Sequence, residues 1–147
     1  MPSFDPGLET ALQRSQALAL ERGHQYVTLE HLLFALTANV EALRLLLACA
    51  CDIPRLHGML ITHFDGKHEN LGPGAKPVHS APVQRVLQRA LIHVQSSGSD
   101  VITGANVVIA LFAEGTSAAT KFIHEQEITR YDAVNFLAHG IGKNSPM

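Results

Sequence analysis

Shifted by 75 positions, the chain matches itself without a gap, and that self-match limits what it can fold into. Leu12, Gln13 and Arg14 fall on Leu87, Gln88 and Arg89. Gly23 falls on Gly98, Thr28 on Thr103, Ala35 and Leu36 on Ala110 and Leu111. Ala38 falls on Ala113, Ile53 on Ile128, and Arg55 on Arg130, making ten identities between residues 8–62 and 83–137. The apolar pattern repeats too, with Leu8, Ala11 and Leu12 landing on Val83, Val86 and Leu87. One small supersecondary unit used twice explains this better than chance.

Each half reads as four helices. Asp5 before Pro6 is a helix start, because the acid can cap free amides and proline lacks the N–H that would go unpaired there. Leu8, Ala11, Leu12, Ser15, Leu18 and Ala19 then follow the i, i+3, i+4 rule. Gly23 is placed to end that helix in a left-handed cap. Thr28 caps a second helix with Leu29, Leu32, Leu33 and Leu36 inward. A third, from about Glu41 to Ala48, is expected to bury Leu43, Leu46 and Leu47. A fourth, from Ile53-Pro54, carries Leu56, Met59 and Leu60. In the second half Ser80-Ala81-Pro82 opens a helix that Ser96-Ser97-Gly98 closes, Thr103 caps the next, Thr116 or Ser117 the third, and Thr129 a fourth running to Ala138. The fold class expected is therefore all-α: about eight helices as two pseudo-symmetric repeats, residues 1–64 and 80–140. Between them 65–79, with Gly66, Gly72, Pro73, Gly74 and Pro77, is expected to be an exposed, mobile connector, longer than most loops in compact domains. No segment alternates with period two, so no sheet of consequence is expected.

The formal net charge of −2 gives none of the positive field that nucleic-acid binding needs. No basic-then-apolar leader and no bilayer-length apolar run is seen, so neither secretion nor membrane insertion is expected. Cys49 and Cys51 are the only cysteines, and they suit a reducing cytosol. Residues 141–147 read as the start of a linker.

Three stretches carry a family resemblance. Thr28-Leu29-Glu30-His31-Leu32-Leu33-Phe34-Ala35-Leu36 resembles the T-x-E-H-L-L-x-A-L signature of the Clp repeat, which occurs as a pair at the amino terminus of Clp/Hsp100 unfoldases. Residues 84–90 with 93–98 resemble the opening of the second repeat in the ClpA branch. Thr103 to Val107, and Val134 to Phe136 with Ala138 to Gly140, resemble its later part, and favour that branch over ClpB or ClpC. The resemblance covers residues 8–140. It implies a flexibly tethered bacterial cytoplasmic docking domain, monomeric alone but part of a hexameric unfoldase that feeds the peptidase ClpP. It also implies two kinds of partner: the adaptor ClpS, which delivers substrates with destabilising amino-terminal residues, and protein substrates themselves. ATP and magnesium belong to other modules of such a protein. Neither Gly66-Lys67 nor Gly142-Lys143 completes a phosphate-binding loop, so no cofactor is expected in this chain.

Docking residues follow partly from spacing. Arg85 and Arg89, four apart, share one helix face, and arginine forks are favoured at interface hot spots. The resemblance places Ser80, Arg85 and Arg89 in the adaptor-binding surface. It also places the turn at His24-Gln25 and the acid Glu30 against the adaptor, although Gln25 stands where an acid is expected. Together Arg85, Arg89 and Glu30 are expected to form an exposed patch near the junction of the repeats. The competing readings are a free-standing Clp-repeat accessory protein that binds a Clp ring from outside, and a small metal or thiol enzyme. His24, Glu30 and His31 fit no standard zinc spacing. Cys49 and Cys51 read as one core and one near-surface thiol. Ser96-Ser97-Gly98 lacks the pattern and the preceding strand of a nucleophile turn. His93 reads as a buried histidine on its helix's apolar stripe.

Overall fold

The computed structural model describes residues 2–142. Most of the expected linker, from Lys143 on, lies outside the described residues. In chain order the elements are β1 (Ser3–Phe4), α1 (Pro6–Glu21), β2 (Tyr26–Val27), α2 (Leu29–Leu36), α3 (Val40–Ala48), α4 (Ile53–Phe64), β3 (Val78–His79), α5 (Ala81–Ser96), β4 (Val101–Ile102), α6 (Gly104–Leu111), α7 (Ala118–Glu125) and α8 (Arg130–His139). Among the described residues no single helix is long and apolar enough to cross a membrane.

The helix starts obey the capping chemistry in the sequence. Asp5 accepts from the Gly7 amide ahead of α1, Ser80 caps α5, Thr103 caps α6, Ser117 caps α7 and Thr129 caps α8. Gly23, Gly98 and Gly140 all take positive φ just past helix ends, where a side chain would be strained. Helices α5 and α6 sit 75 residues after α1 and α2 at both ends.

The repeat extends to the pairing of elements. Four two-residue strands form two parallel ladders that sequence periodicity did not show, because two residues cannot display a period of two. Ser3 pairs with Val101 and Phe4 with Ile102; Tyr26 pairs with Val78 and Val27 with His79. Adding 75 to one member of each first pair and subtracting it from the other gives the second set. Each repeat thus lends its opening strand to the other. The third helices are exchanged in the same way: α3 packs on α6 and α8, and α7 packs on α2 and α4. The halves are interlocked, and one hydrophobic core runs through both.

The packed face of α3 is rotated from expectation. Ala42, Leu45 and Leu46 are buried, whereas Leu47 is 56 % exposed. Leucine at 43, 45, 46 and 47 leaves the apolar period undecided, and the neighbouring helices choose the face. A wholly buried leucine such as Leu45 contributes roughly 2–3 kcal/mol by burial. Both cysteines are buried, against the expectation of one near the surface. His93 is exposed, not buried, because the groove beside it is open.

The connector 65–79 is mostly exposed but is laced to the first repeat. Gln25 N–H donates to Glu69 C=O (2.8 Å), Leu71 N–H to Gly23 C=O (2.8 Å), and the Gln16 amide to Pro77 C=O (2.9 Å).

Candidate docking face

Helix α5 turns one long side to solvent. Ser80 caps it, with its hydroxyl accepting from Val83 N–H at 3.4 Å. Val83, Val86, Ala90 and Val94 face the core, which leaves Gln84, Arg85, Gln88, Arg89 and Ile92 outward around a shallow depression of about 480 Å³. No Asp or Glu occurs from Ser80 to Ser99. The arginine side chains are 55 % and 44 % exposed.

These guanidinium groups are not free. Both reach Glu114, in the turn between α6 and α7. Arg85 makes a fork, Nε to Oε2 at 3.2 Å and Nη2 to Oε1 at 2.8 Å, and Arg89 Nη1 donates to Oε2 at 3.5 Å. The Glu114 side chain is only 10 % exposed. The Arg85 hydrogen bonds hold its carboxyl below the usual carboxylate range, and Arg89 acts in the same direction. Each guanidinium carries five donors, so most remain available to a partner, and the cluster of two cations and one anion is net positive. Sequence reasoning missed Glu114. No helical spacing links it to arginines 25 and 29 residues away.

The other expected residues divide. Gln25 and Ser80 lie at opposite ends of the β2–β3 ladder: Gln25 C=O accepts from Val78 N–H at 3.2 Å and Ser80 N–H donates to Val27 C=O at 3.0 Å. Both are partly exposed. His24 and Glu30 are buried, each 7 % exposed, so the expected exposed patch of Glu30 with the arginines does not exist. Glu30 Oε2 accepts the Ala119 amide at the start of α7 (2.9 Å), and Oε1 meets His63 Nε2 at 3.3 Å. Its carboxylate fastens the exchanged third helix of the second repeat.

His24 belongs to a group of four imidazoles. Thr28 N–H donates to His31 Nδ1 at 2.9 Å, so the ring proton of neutral His31 sits on Nε2 and is donated to His24 Nδ1 at 2.8 Å. The connector's His68 stacks on His24 at 4.1 Å between ring centres and donates from Nε2 to His63 C=O at 2.9 Å. Burial, then the neighbouring His24, His68, His63 and Arg22, push His31 down to about 3. Burial, then His68, also lowers His24. Among the described residues no group of three His, Cys, Asp or Glu is arranged to hold a metal ion. Burial, with Asp52 and Cys49, raises the Cys51 thiol to about 11, the opposite of what a nucleophile needs.

Against known proteins, residues 3–126 match the model of the Clp repeat (R) N-terminal domain. A ClpA homolog protein from Fuscovulum blasticum is 48 % identical over 147 residues, covering 98 % of this chain and 18 % of that protein; the chain thus spans about a fifth of the relative's length. The fold is similar to the N-domain of ClpV from Vibrio cholerae, with TM-score 0.78, 19 % identity, and 97 % and 88 % of the two chains covered. It is also similar to a ClpV N-domain solved in complex with a VipB peptide, with TM-score 0.76, 18 % identity, and 92 % and 85 % covered. The chain belongs to the Clp repeat N-terminal domain family of the Clp ATPases.

Proposed function

We propose that this chain is the adaptor- and substrate-docking domain of a ClpA-type unfoldase, that it binds a ClpS-type adaptor through the outer face of α5, and that it catalyses nothing itself. The likeness to a ClpA homolog along nearly the whole chain supports the branch. The observation that carries the docking face is the Arg85–Glu114–Arg89 cluster. Both guanidinium groups reach one largely covered carboxylate, on a helix with no acidic residue of its own, beside the half-exposed Ile92. Pre-ordered arginines lose little side-chain entropy when a partner arrives. That partner would offer carboxylates and an apolar side chain. The ClpV N-domain solved with a VipB peptide supports protein ligands for this fold. Within a full-length unfoldase the domain would act as a tethered block that raises the local concentration of captured substrate, while ATP hydrolysis and ClpP contact belong to other domains.

The test is calorimetric titration with the cognate ClpS. Arg85→Ala with Arg89→Ala is expected to weaken binding at least ~30-fold, as loss of about 2 kcal/mol would, with helical circular dichroism unchanged and Tm lowered only slightly. Arginine-to-glutamate swaps are less clean here, since they would crowd three carboxylates at Glu114. Unimpaired binding by the double alanine variant would remove the site assignment.

A further inference from the structure

The internal repeat supplies a comparison within the molecule. In the first repeat the cleft at the end of α1 is filled by the chain's own connector. His68 enters it and stacks on His24. The three residues after it bond as an antiparallel strand, with Glu69 C=O taking the Gln25 amide, Asn70 bridging His24, and Leu71 N–H giving to Gly23 C=O. The corresponding cleft of the second repeat, at the end of α5, is open. It holds about 330 Å³ and is lined in part by His93, Ser99, Asn106, Ile109, Leu137 and Ala138. Where the first cleft has His24, His31 and His63, the second has Ser99, Asn106 and Ala138. Three imidazoles are replaced by smaller groups, two of them polar, and the apolar part of the lining is Val94, Ile109, Val134, Leu137 and Ala138. The backbone groups matching the connector's partners are Asp100 N–H and Gly98 C=O. Both residues are exposed, and neither group has a partner among the described residues.

We propose that this second cleft is a binding site for an extended peptide strand from another protein, taken by strand addition with one apolar side chain as its anchor. This goes beyond the α5 reading and is independent of it, since the cleft lies at the opposite end of that helix from Arg85. The connector shows what the strand must offer. An anchor side chain stands at the His68 position, the next residue's carbonyl accepts Asp100 N–H, and the residue three after the anchor gives its N–H to Gly98 C=O. That last residue cannot be proline. The anchor should be aliphatic, such as leucine, since Ile109 and Leu137 flank it and no lysine, arginine or carboxylate lines the cleft. The exposed Asp100 at the rim disfavours acidic neighbours. By the 75-residue shift His68 and Leu71 match Lys143 and Pro146 in sequence, and neither is the aliphatic residue or the amide donor asked of the strand.

The probe is a synthetic peptide, acetyl-Gly-Ser-Leu-Ser-Ser-Ser-Gly-amide, titrated into the ¹⁵N-labelled chain. The expected result is saturable movement of the Asp100 amide and its neighbours. Proline three residues after the leucine should weaken binding about tenfold, the effect of one lost hydrogen bond. Ala138→Trp, at an exposed position that cannot unfold the core, should weaken it at least as much by filling the cleft. The proposal is overturned by the absence of shifts around Asp100 at millimolar peptide, or by equal binding of the leucine and proline peptides. It is equally overturned if sedimentation shows a dimer of this chain already covering the same resonances.

Discussion

Gly104→Ala is expected to destabilise the domain by about 2–4 kcal/mol, although glycine-to-alanine in a helix ordinarily stabilises by up to ~1 kcal/mol. A Cβ at Gly104 would lie 2.8 Å from Asn39 Cγ and 3.3 Å from Ala42 Cβ, and closer still to Asn39 Oδ1. Asn39 cannot simply swing away. It is buried, and its Oδ1 accepts the Ala42 amide at 2.9 Å as the cap of α3. Either the cap breaks, at a cost of about 1 kcal/mol, or α3 lifts off α6 and loosens one of the two exchanged helix contacts. Gly58→Ala in α4 is the control, because a Cβ there meets nothing within 4 Å; it should be neutral or stabilising by ~0.5–1 kcal/mol. Urea denaturation of both variants checks the pair, and a Gly104→Ala domain as stable as the parent would contradict the close packing of α3 on α6.

Acid is expected to weaken the fold well above the range where most carboxylates titrate. His31 falls from 6.5 to about 3 in the folded chain, so between those values the unfolded chain binds a proton that the folded one refuses. The stabilisation from neutral His31 is complete above pH 6.5 and is lost as pH falls toward 3. By pH 5 the loss is roughly 2 kcal/mol, and His24, lowered in the same direction, adds to it. Glu114 acts lower: its carboxyl is depressed from 4.5, so the arginine clamp is lost only as pH falls below that value. His31→Asn isolates the effect. Asn106 already does this job in α6, its Oδ1 accepting Thr103 N–H at 2.8 Å, so the capping box survives while the titrating ring is gone. The variant should be less stable than the parent at pH 7, through lost volume, yet lose much less between pH 7 and pH 5. Thermal melts at half-unit pH steps measure both curves, and an unchanged slope in the variant would exclude His31 as the cause.

Much of the fold was legible because it is written locally. Asp5-Pro6, Thr28, Ser80, Thr103 and Thr129 each place a helix start through chemistry within three residues, and the 75-residue shift says that the plan is used twice. The exchange of β1 with β3 and of α3 with α7 was not legible. A repeat in sequence states that two units are alike, not which helix packs on which. The face of α3 was lost in an almost unbroken leucine run. At the docking face, the spacing of Arg85 and Arg89 was enough to put them side by side, but Glu114 is joined to them only by the folded chain. Glu30 misled for the same reason. An acid in the first turn of a helix satisfies the local dipole equally well exposed or buried. What buries it is the Ala119 amide, 89 residues on.

The most direct measurement is a titration of the ¹⁵N-labelled chain with unlabelled cognate ClpS, followed at every backbone amide. The expected result is tight binding whose largest shifts cluster on the outward positions from Gln84 to Ile92 and on the turn holding Glu114. No binding, or shifts confined to α4 and α8 with those positions untouched, would contradict the assignment of this face to the adaptor.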